Sequence, residues 1–197
     1  MSNKFLQTSA VAAVIGLASI NTQAASIWLE PVTQDTTIGG VATLDLWADA
    51  SDVGGLLGGG LDIFYNETII SYNGDFAFDA AFPTDPSFSR TGDDCATAMV
   101  TGCSVAGEIN GIGVGSFTGL AADGPTLVGT LSFTGLNIGL SLLTMATNDF
   151  PAGDWFDNAG GLVEITYSGA EVNVVPVPAA VWLFGSGLLG LVGVAGR

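Results

Sequence analysis

The chain contains no histidine, and its only basic residues are Lys4, Arg90 and Arg197. Without histidine, Ser-His-Asp catalysis, Cys-His catalysis and histidine-bound metals are excluded. The single lysine lies in an N-terminal segment that we expect to be removed, which excludes a Schiff-base lysine and a P-loop from the mature protein. Nucleic acids are bound mainly through lysine and arginine. A net charge of −16 therefore argues against a nucleic-acid partner.

Carboxylates are the main groups left for chemistry, and several of them cluster in the run NDFPAGDWFDN. Asp149, Asp154 and Asp157 lie there beside Trp155 and Phe156. A pair of carboxylates can hydrolyse a glycoside. Aspartates near proline and glycine, however, commonly form turns by bonding to their own backbone. We therefore predict that the protein is not an enzyme, and a polysaccharide-active enzyme ranks third among the functions considered.

The same run offers side-chain oxygens for calcium, an ion that binds several oxygen ligands. Its spacing does not match an EF-hand loop, and the competing interpretation is again a turn. No cofactor is predicted apart from this calcium alternative. The candidate calcium ligands are Asn148, Asp149, Asp154, Asp157 and Asn158.

Cys95 and Cys103 are the only cysteines in the chain. Two cysteines so close in an exported chain usually pair, because the compartment outside the cytoplasm is oxidising. The alternative, a Cys/Asp metal site, needs more ligands than the neighbouring sequence contains. We predict a disulfide bond between them, which should stabilise the fold by roughly 2–3 kcal/mol in the chain-entropy model.

Residues 1–24 have the pattern of a secretory signal peptide. Lys4 provides the positive start, residues 10–20 form an apolar stretch, and the small residues before the cleavage point end at Ala24. The alternative is an N-terminal core helix, which a matching export signal at the C-terminus disfavours. We predict cleavage after Ala24.

Residues 179–196 contain no charged side chain and follow two prolines, Pro176 and Pro178. Proline disfavours helix at the residue before it, so a helix is expected to begin near Ala179. A helix of this length rises roughly 27 Å, close to the hydrocarbon thickness of a bilayer. A core helix would show a polar face, whereas the polar residue here is Ser186 alone. We predict a transmembrane helix over residues 179–196.

The C-terminal run VPVPAAVWLFGSGLLGLVGVAGR resembles the PEP-CTERM sorting signal of Gram-negative bacteria: a Pro-x-Pro motif, a hydrophobic helix and a basic tail. In that family an exosortase-like membrane enzyme recognises the signal, cleaves near the motif and passes the protein to the cell surface or the exopolysaccharide matrix. For residues 176–197 the resemblance implies an inner-membrane-anchored precursor. Its cleaved product would lie at the cell surface or in the exopolysaccharide matrix. The motif residues are Val175, Pro176, Val177 and Pro178, and the tail is Arg197.

Between the terminal signals, short alternating runs separated by turn residues predict one all-β domain over residues 25–175. Residues 41–49 alternate apolar and polar side chains with the period of a half-buried antiparallel strand. Residues 80–107 show little periodicity and are predicted to form a long loop or an excursion between strands. Residues 162–167 and 170–175 are predicted to form a hairpin. The other predicted strands cover residues 26–30, 60–65, 69–72, 76–78, 108–117, 126–134 and 140–147.

The first half of this domain also resembles the cohesin-like, carbohydrate-binding-module type of β-sandwich. The resemblance lies in IWLEPVTQDTTIGGVATLDLWADAS and in VGGLLGGGLDIFYNETIISY, which match that family's first three strands and the turn after them. It implies an antiparallel β-sandwich of jelly-roll type. Cohesins bind dockerin modules and relatives bind polysaccharide, but no dockerin-contact motif is present here, and a fold does not settle function.

These patterns together predict an exported structural or binding protein of the cell surface or exopolysaccharide matrix. Its expected partners are an exosortase-like processing enzyme, the membrane, and an extracellular polysaccharide or another surface protein. The alternative is a calcium-assisted carbohydrate- or protein-binding module. Trp47, on the polar face of its strand beside Asp45 and Asp49, is an exposed aromatic residue that such binding could use.

Overall fold

The computed structural model describes residues 24–74, 76–80, 82, 89–95, 106–148, 153–177 and 184. These residues form strands joined by turns, together with a short 3-10 helix at Ser51–Val53. The strands are β1 (Ala24–Glu30), β2 (Thr33–Thr37), β3 (Val41–Asp49), β4 (Leu56–Phe64), β5 (Ile70–Tyr72), β6 (Ala77–Phe78), β7 (Arg90–Asp94), β8 (Glu108–Leu120), β9 (Thr126–Gly135), β10 (Gly139–Thr147), β11 (Trp155–Asp157), β12 (Leu162–Ser168) and β13 (Ala170–Val175).

Two layers of strands pack around one apolar core. The first layer has the order β12-β1-β3-β9, and both β5 and β6 pair with β9. The second layer has the order β2-β13-β10-β4-β8-β7. β11 pairs with β12 and with β4, and so joins the two layers along one edge. The predicted all-β sandwich is confirmed.

The alternation predicted for residues 41–49 is visible strand by strand. Ala42, Leu44 and Leu46 of β3 are fully buried, while the residues between them face outward. At the centre of the core, the Phe133 ring lies 5.4 Å from the Tyr65 ring and 5.7 Å from the Tyr72 ring, measured between centroids. Burial of such apolar side chains is the main force that holds the two layers together.

The chain crosses from the first layer to the second at two places, between β1 and β2 and between β12 and β13. β1 and β12 lie parallel in the first layer, and β2 and β13 lie parallel in the second. The crossings at Pro31 and Gly169 are neighbours, because the N–H of Glu171 donates to the carbonyl of Val32 at 2.8 Å. The predicted hairpin between residues 162–167 and 170–175 is therefore wrong. The period of two in both runs shows which side chains face inward, but it does not specify the neighbouring strand.

Three strands lie where no strand was predicted, and the first of them is β2, which covers the polar run TQDTT. β7 falls within residues 80–107, the predicted long loop, and pairs with β8. Its sequence, RTGDD, is polar and lacks the alternation of a half-buried strand. β11 falls within the aspartate-rich run that was predicted to be a turn. The other predicted strands are confirmed, although β4 begins at Leu56 rather than at residue 60.

The terminal signals lie almost wholly outside the described residues. These are the signal peptide up to residue 23, the helix predicted over residues 179–196 apart from Phe184, and Pro178 and Arg197 of the sorting signal. β1 begins at Ala24, the residue after which cleavage is predicted. Within the described part of the chain, no helix has the length and hydrophobicity needed to cross a bilayer.

Candidate functional site

Two leucines point outward from the middle strand of the second layer. Alternation along β10 buries Ser141 and Leu143, so Leu140 and Leu142 project to the outside, where they are 48% and 57% exposed. Their neighbours on β13 are polar, since Leu142 lies opposite Glu171 in the sheet register. Exposed leucines side by side on a regular strand are candidates for a contact surface. We call the outward surface of β13, β10, β4 and β8 the β10 face.

A buried carboxylate lies on the same face, one strand away. Asp62 of β4 points outward between two core residues, yet only 7% of it is exposed. Its Oδ1 accepts hydrogen bonds from the main-chain N–H of Gly111, at 2.7 Å, and from the side-chain amide of Asn148. The N–H of Gly111 is available because the register of β8 shifts opposite Leu61 and Ile63. Sequence reasoning missed Asp62, and the one signal was a carboxylate inside the apolar run GLDIFY.

Glu108, at the start of β8, is a second buried carboxylate on the β10 face. Only 5% of it is exposed, and its Oε1 accepts a hydrogen bond from the Asn110 amide at 3.3 Å. Its Oε2 is buried and has no hydrogen-bond partner among the described residues. Burial raises the pKa of the Glu108 carboxyl, the Asn110 hydrogen bond lowers it, and the negative charge of Asp62 raises it further. The net result is a carboxyl group that holds its proton to higher pH than an ordinary glutamate.

The basic residue of the described part of the chain, Arg90, stands at the edge of this face. Arg90 of β7 forms a salt bridge with Asp93 at 3.1 Å, and both side chains are about half exposed. Exposed ion pairs of this kind contribute roughly 0–1 kcal/mol, so this pair adds little to stability.

A pair of tryptophans lies on the opposite outer surface, in the first layer. Trp28 of β1 is directly opposite Trp47 of β3, and their rings stack with centroids 6.4 Å apart and planes at 15°. The Trp28 indole donates to the Glu30 carboxylate at 2.9 Å. The indole nitrogen of Trp47 is buried without a partner in the described part of the chain. Trp47 faces outward as predicted, but it is half-buried against Trp28 rather than freely exposed.

The candidate calcium ligands have separate bonding partners. Asn148 is buried and donates to Asp62, whereas Asp157 Oδ1 accepts from the main-chain N–H groups of Ala159 and Gly161, both at 2.8 Å. Asn158 donates to the carbonyl of residue 54 at 2.6 Å, and Asp154 is exposed. These contacts are those of a turn. The described residues contain no group of three or more acidic or sulfur ligands placed to hold a metal. Asp149 lies outside the described residues, so calcium binding stays a prediction.

Cys95 directly follows β7, and its N–H donates to the carbonyl of Glu108 at 2.8 Å. Cys103, its predicted partner, lies outside the described residues. The Cys95–Cys103 disulfide therefore stays a prediction.

Several solved cohesin structures superpose on the whole sandwich. The seventh type I cohesin of ScaB from Pseudobacteroides cellulosolvens has a TM-score of 0.58 at 8% identity, covering 79% of this chain and 94% of that one. The Clostridium thermocellum cohesin of the Coh-OlpC-Doc435 complex has a TM-score of 0.57 at 12% identity, covering 78% and 95%. The sixth cohesin of Acetivibrio cellulolyticus scaffoldin B, in complex with the Cel5 dockerin, has a TM-score of 0.55 at 12% identity, covering 77% and 99%. The chain has a cohesin-like fold.

The similarity to cohesins concerns the fold alone. At sequence identities of 8% and 12%, the role of a residue in one protein cannot be assigned to the aligned residue in the other. No protein-family model matches the chain, and no curated protein matches it. The cohesin-like sandwich predicted from its first three strands is confirmed for the domain as a whole.

Proposed function

We propose that this protein is an exported, cohesin-like binding module that binds another protein through the β10 face. The observation that carries the proposal is the outward position of Leu140 and Leu142 on a central strand. An apolar centre with a polar surround is the usual composition of a protein-binding surface. Here the surround includes Glu171 and Asn173 of β13, which lie opposite the two leucines in the sheet register.

The fold comparison supports a protein as the partner. Two of the solved cohesins described above are complexes with dockerins. A cohesin-like sandwich with an apolar outer face therefore favours a protein module as the partner of this chain. No sequence match specifies that partner.

We also propose that the module is not an enzyme. Hydrolysis in a chain without histidine would rest on two carboxylates, one of them with a raised pKa. Glu108 has the raised pKa, but Asp62, the other buried carboxylate of the β10 face, already accepts two hydrogen bonds. Such a carboxylate is a structural element of the sheet.

Delivery through the C-terminal signal is part of the proposal. β13 ends at Val175, and Pro176 and Val177 are both exposed just beyond the sheet. A processing enzyme would therefore find the start of the Pro-x-Pro motif outside the folded domain. We propose an inner-membrane-anchored precursor that an exosortase-like enzyme cleaves, with the product at the cell surface or in the extracellular matrix.

A photo-crosslinking amino acid at position 142, expressed in the native host, tests the binding face. We expect an adduct with one discrete protein. The same amino acid at Leu162 is the matched control, because Leu162 is also an exposed leucine on a strand but belongs to the first layer. Equal adducts from the two positions, or none from position 142, would contradict the β10 face as the binding site.

Mass spectrometry of protein released from the host surface tests the delivery route. We expect the released chain to begin after Ala24 and to end near Pro178. Intact residues 181–197 on released protein would contradict processing. Replacing Pro176 and Pro178 by alanine should leave the protein in the inner membrane, whereas normal release of that variant would mean that the segment is a plain anchor.

Carbohydrate binding is the second candidate function, and the stacked Trp28–Trp47 pair favours it. Flat aromatic surfaces flanked by carboxylates are suited to sugar rings, and Glu30 and Asp45 lie beside the pair. Binding of the purified protein to the host's own exopolysaccharide is the test. If this function holds, Trp28→Ala should abolish binding while Leu142→Asp leaves it unchanged.

A further inference from the structure

Three turns and the end of β13 meet at one end of the sandwich, which we call the exit end. The turns are residues 38–40 after β2, residues 65–69 after β4 and residues 136–138 after β9. Hydrogen bonds tie them together: the N–H of Gly39 donates to the carbonyl of Gly135 at 2.8 Å, and the N–H of Leu136 donates to the carbonyl of Ile69 at 2.8 Å. β13 reaches the same end, because Val174 pairs with Gly139 and Val175 pairs with Thr37.

The exit end presents an unusual number of apolar side chains to the outside. Turns normally carry polar residues, together with glycine and proline. Here the turn residues and their neighbours include five that are at least two-fifths exposed: Ile38 (56%), Val41 (57%), Leu136 (41%), Ile138 (57%) and Val177 (44%).

Charge is distributed oppositely between the two ends of the molecule. Among residues 37–41, 65–69, 136–139 and 175–177, only Glu67 is charged, and the neighbouring carboxylates of Asp94 and Glu108 are both buried. The carboxylates of Asp49, Asp52, Asp123 and Asp157 lie instead at the far end, where the N–H of Ala50 donates to the carbonyl of Ala121. β3 connects the two ends and spans about 27 Å at 3.4 Å per residue. That separation exceeds the Debye length at physiological salt, about 8 Å.

The chain connection determines which surface lies next to the exit end. Val177 is exposed there, and the predicted transmembrane helix begins near Ala179. Two residues of extended chain span at most about 7 Å. A helix in the bilayer therefore holds this end, and not the acidic end, against the membrane surface.

We infer that in the uncleaved precursor the exit end rests on the bilayer, with Ile38, Leu136 and Ile138 in contact with lipid. This inference rests on the proposed C-terminal anchor and adds a fixed orientation of the domain to it. The β10 face then extends away from the membrane. The acidic end and the mature N-terminus are farthest from the bilayer. The bilayer is preferred as the occupant over a protein because the short connection already places lipid at this surface.

The test uses the full chain, without its signal peptide, in vesicles of phosphatidylcholine and phosphatidylglycerol. An environment-sensitive fluorophore is attached to an azide-bearing residue at position 138, and nitroxide-labelled lipid serves as the quencher. Ala159, which is exposed in the turn at the acidic end, is the matched control position. We expect several-fold stronger quenching at position 138 than at position 159.

Alkaline extraction of the same vesicles distinguishes a failure of the proposed membrane anchor from a failure of the proposed orientation. If the chain resists extraction and the two positions are quenched equally, the orientation is overturned while the anchor stands. If the chain is extracted, the anchor fails and the orientation fails with it. Ile38→Asp combined with Leu136→Asp should reduce the quenching at position 138. Unchanged quenching in that variant would overturn the lipid contact assigned to these side chains.

Discussion

Gly169 lies so close to the main-chain carbonyl oxygen of Leu143 that a Cβ atom on residue 169 would overlap this oxygen. The contact occurs where the chain leaves β12 in the first layer and enters β13 in the second. Glycine is needed here for the close approach of two backbones, and this approach allows the crossing.

Gly169→Ala should therefore lower the free energy of unfolding by about 3 kcal/mol, because a backbone atom must move to admit the methyl group. Gly74→Ala is the control: Gly74 has a positive φ of 73° but open space around its Cβ position, so alanine there should cost only about 1 kcal/mol. Urea unfolding measures both. Similar losses in the two variants would contradict the assignment of close packing to Gly169.

The hydrogen bond between Asn148 and Asp62 should contribute measurably to stability. Asn148→Ala leaves the buried carboxylate with one fewer donor, and we expect a loss of about 1–3 kcal/mol in urea unfolding. Asn173→Ala is the matched control, since Asn173 makes the same type of hydrogen bond to Asp35 on the exposed surface. A loss at Asn148 no larger than the loss at Asn173 would contradict the structural role of the buried pair.

The raised pKa of Glu108 predicts a pH dependence of stability. The folded protein holds this proton more tightly than the unfolded chain, so stability falls as pH rises from the ordinary glutamate range through the folded pKa. Glu108→Gln removes the titration, so it should raise the melting temperature at neutral pH and flatten the decline. Glu67→Gln, at an exposed position, should leave the decline intact. A decline that persists in Glu108→Gln would show that another group causes it.

The disulfide prediction can be tested by counting free thiols. Alkylation of the unfolded, unreduced protein isolated from outside the cytoplasm should label neither Cys95 nor Cys103, and reduction beforehand should expose both. Labelling of both thiols without reduction would exclude the bond.

A turn and a calcium site in the aspartate-rich run predict different effects of calcium on the melting temperature. Asp157→Ala removes the acceptor of two N–H groups and should cost about 1–2 kcal/mol without calcium, whereas Asp154→Ala at an exposed position should cost almost nothing. If calcium binds, millimolar calcium should raise the melting temperature of the native chain and not that of a variant combining Asp154→Ala with Asp157→Ala. If calcium does not shift the melting temperature of the native chain, the calcium site is excluded and the turn is the interpretation that stands.

Local pattern in the sequence was enough to predict the all-β class and most strands. The alternation in β3 shows which side chains are buried, because side-chain direction in a strand depends only on the parity of position. The same reasoning placed Trp47 on the outer surface correctly. Composition alone, without histidine and almost without basic residues, was enough to exclude whole classes of chemistry.

Only the tertiary structure decided which strands are neighbours and what the outward side chains meet. Trp28 stacks on Trp47, and Asp62 is buried beneath Asn148, because of pairings between strands distant in sequence. β12 and β13 have the alternation of a hairpin, but the chain crosses between the layers at Gly169, so the two strands pair with different neighbours. Alternation is a property of each strand by itself, whereas register, layer and the burial of a polar group depend on long-range packing, which no local pattern contains.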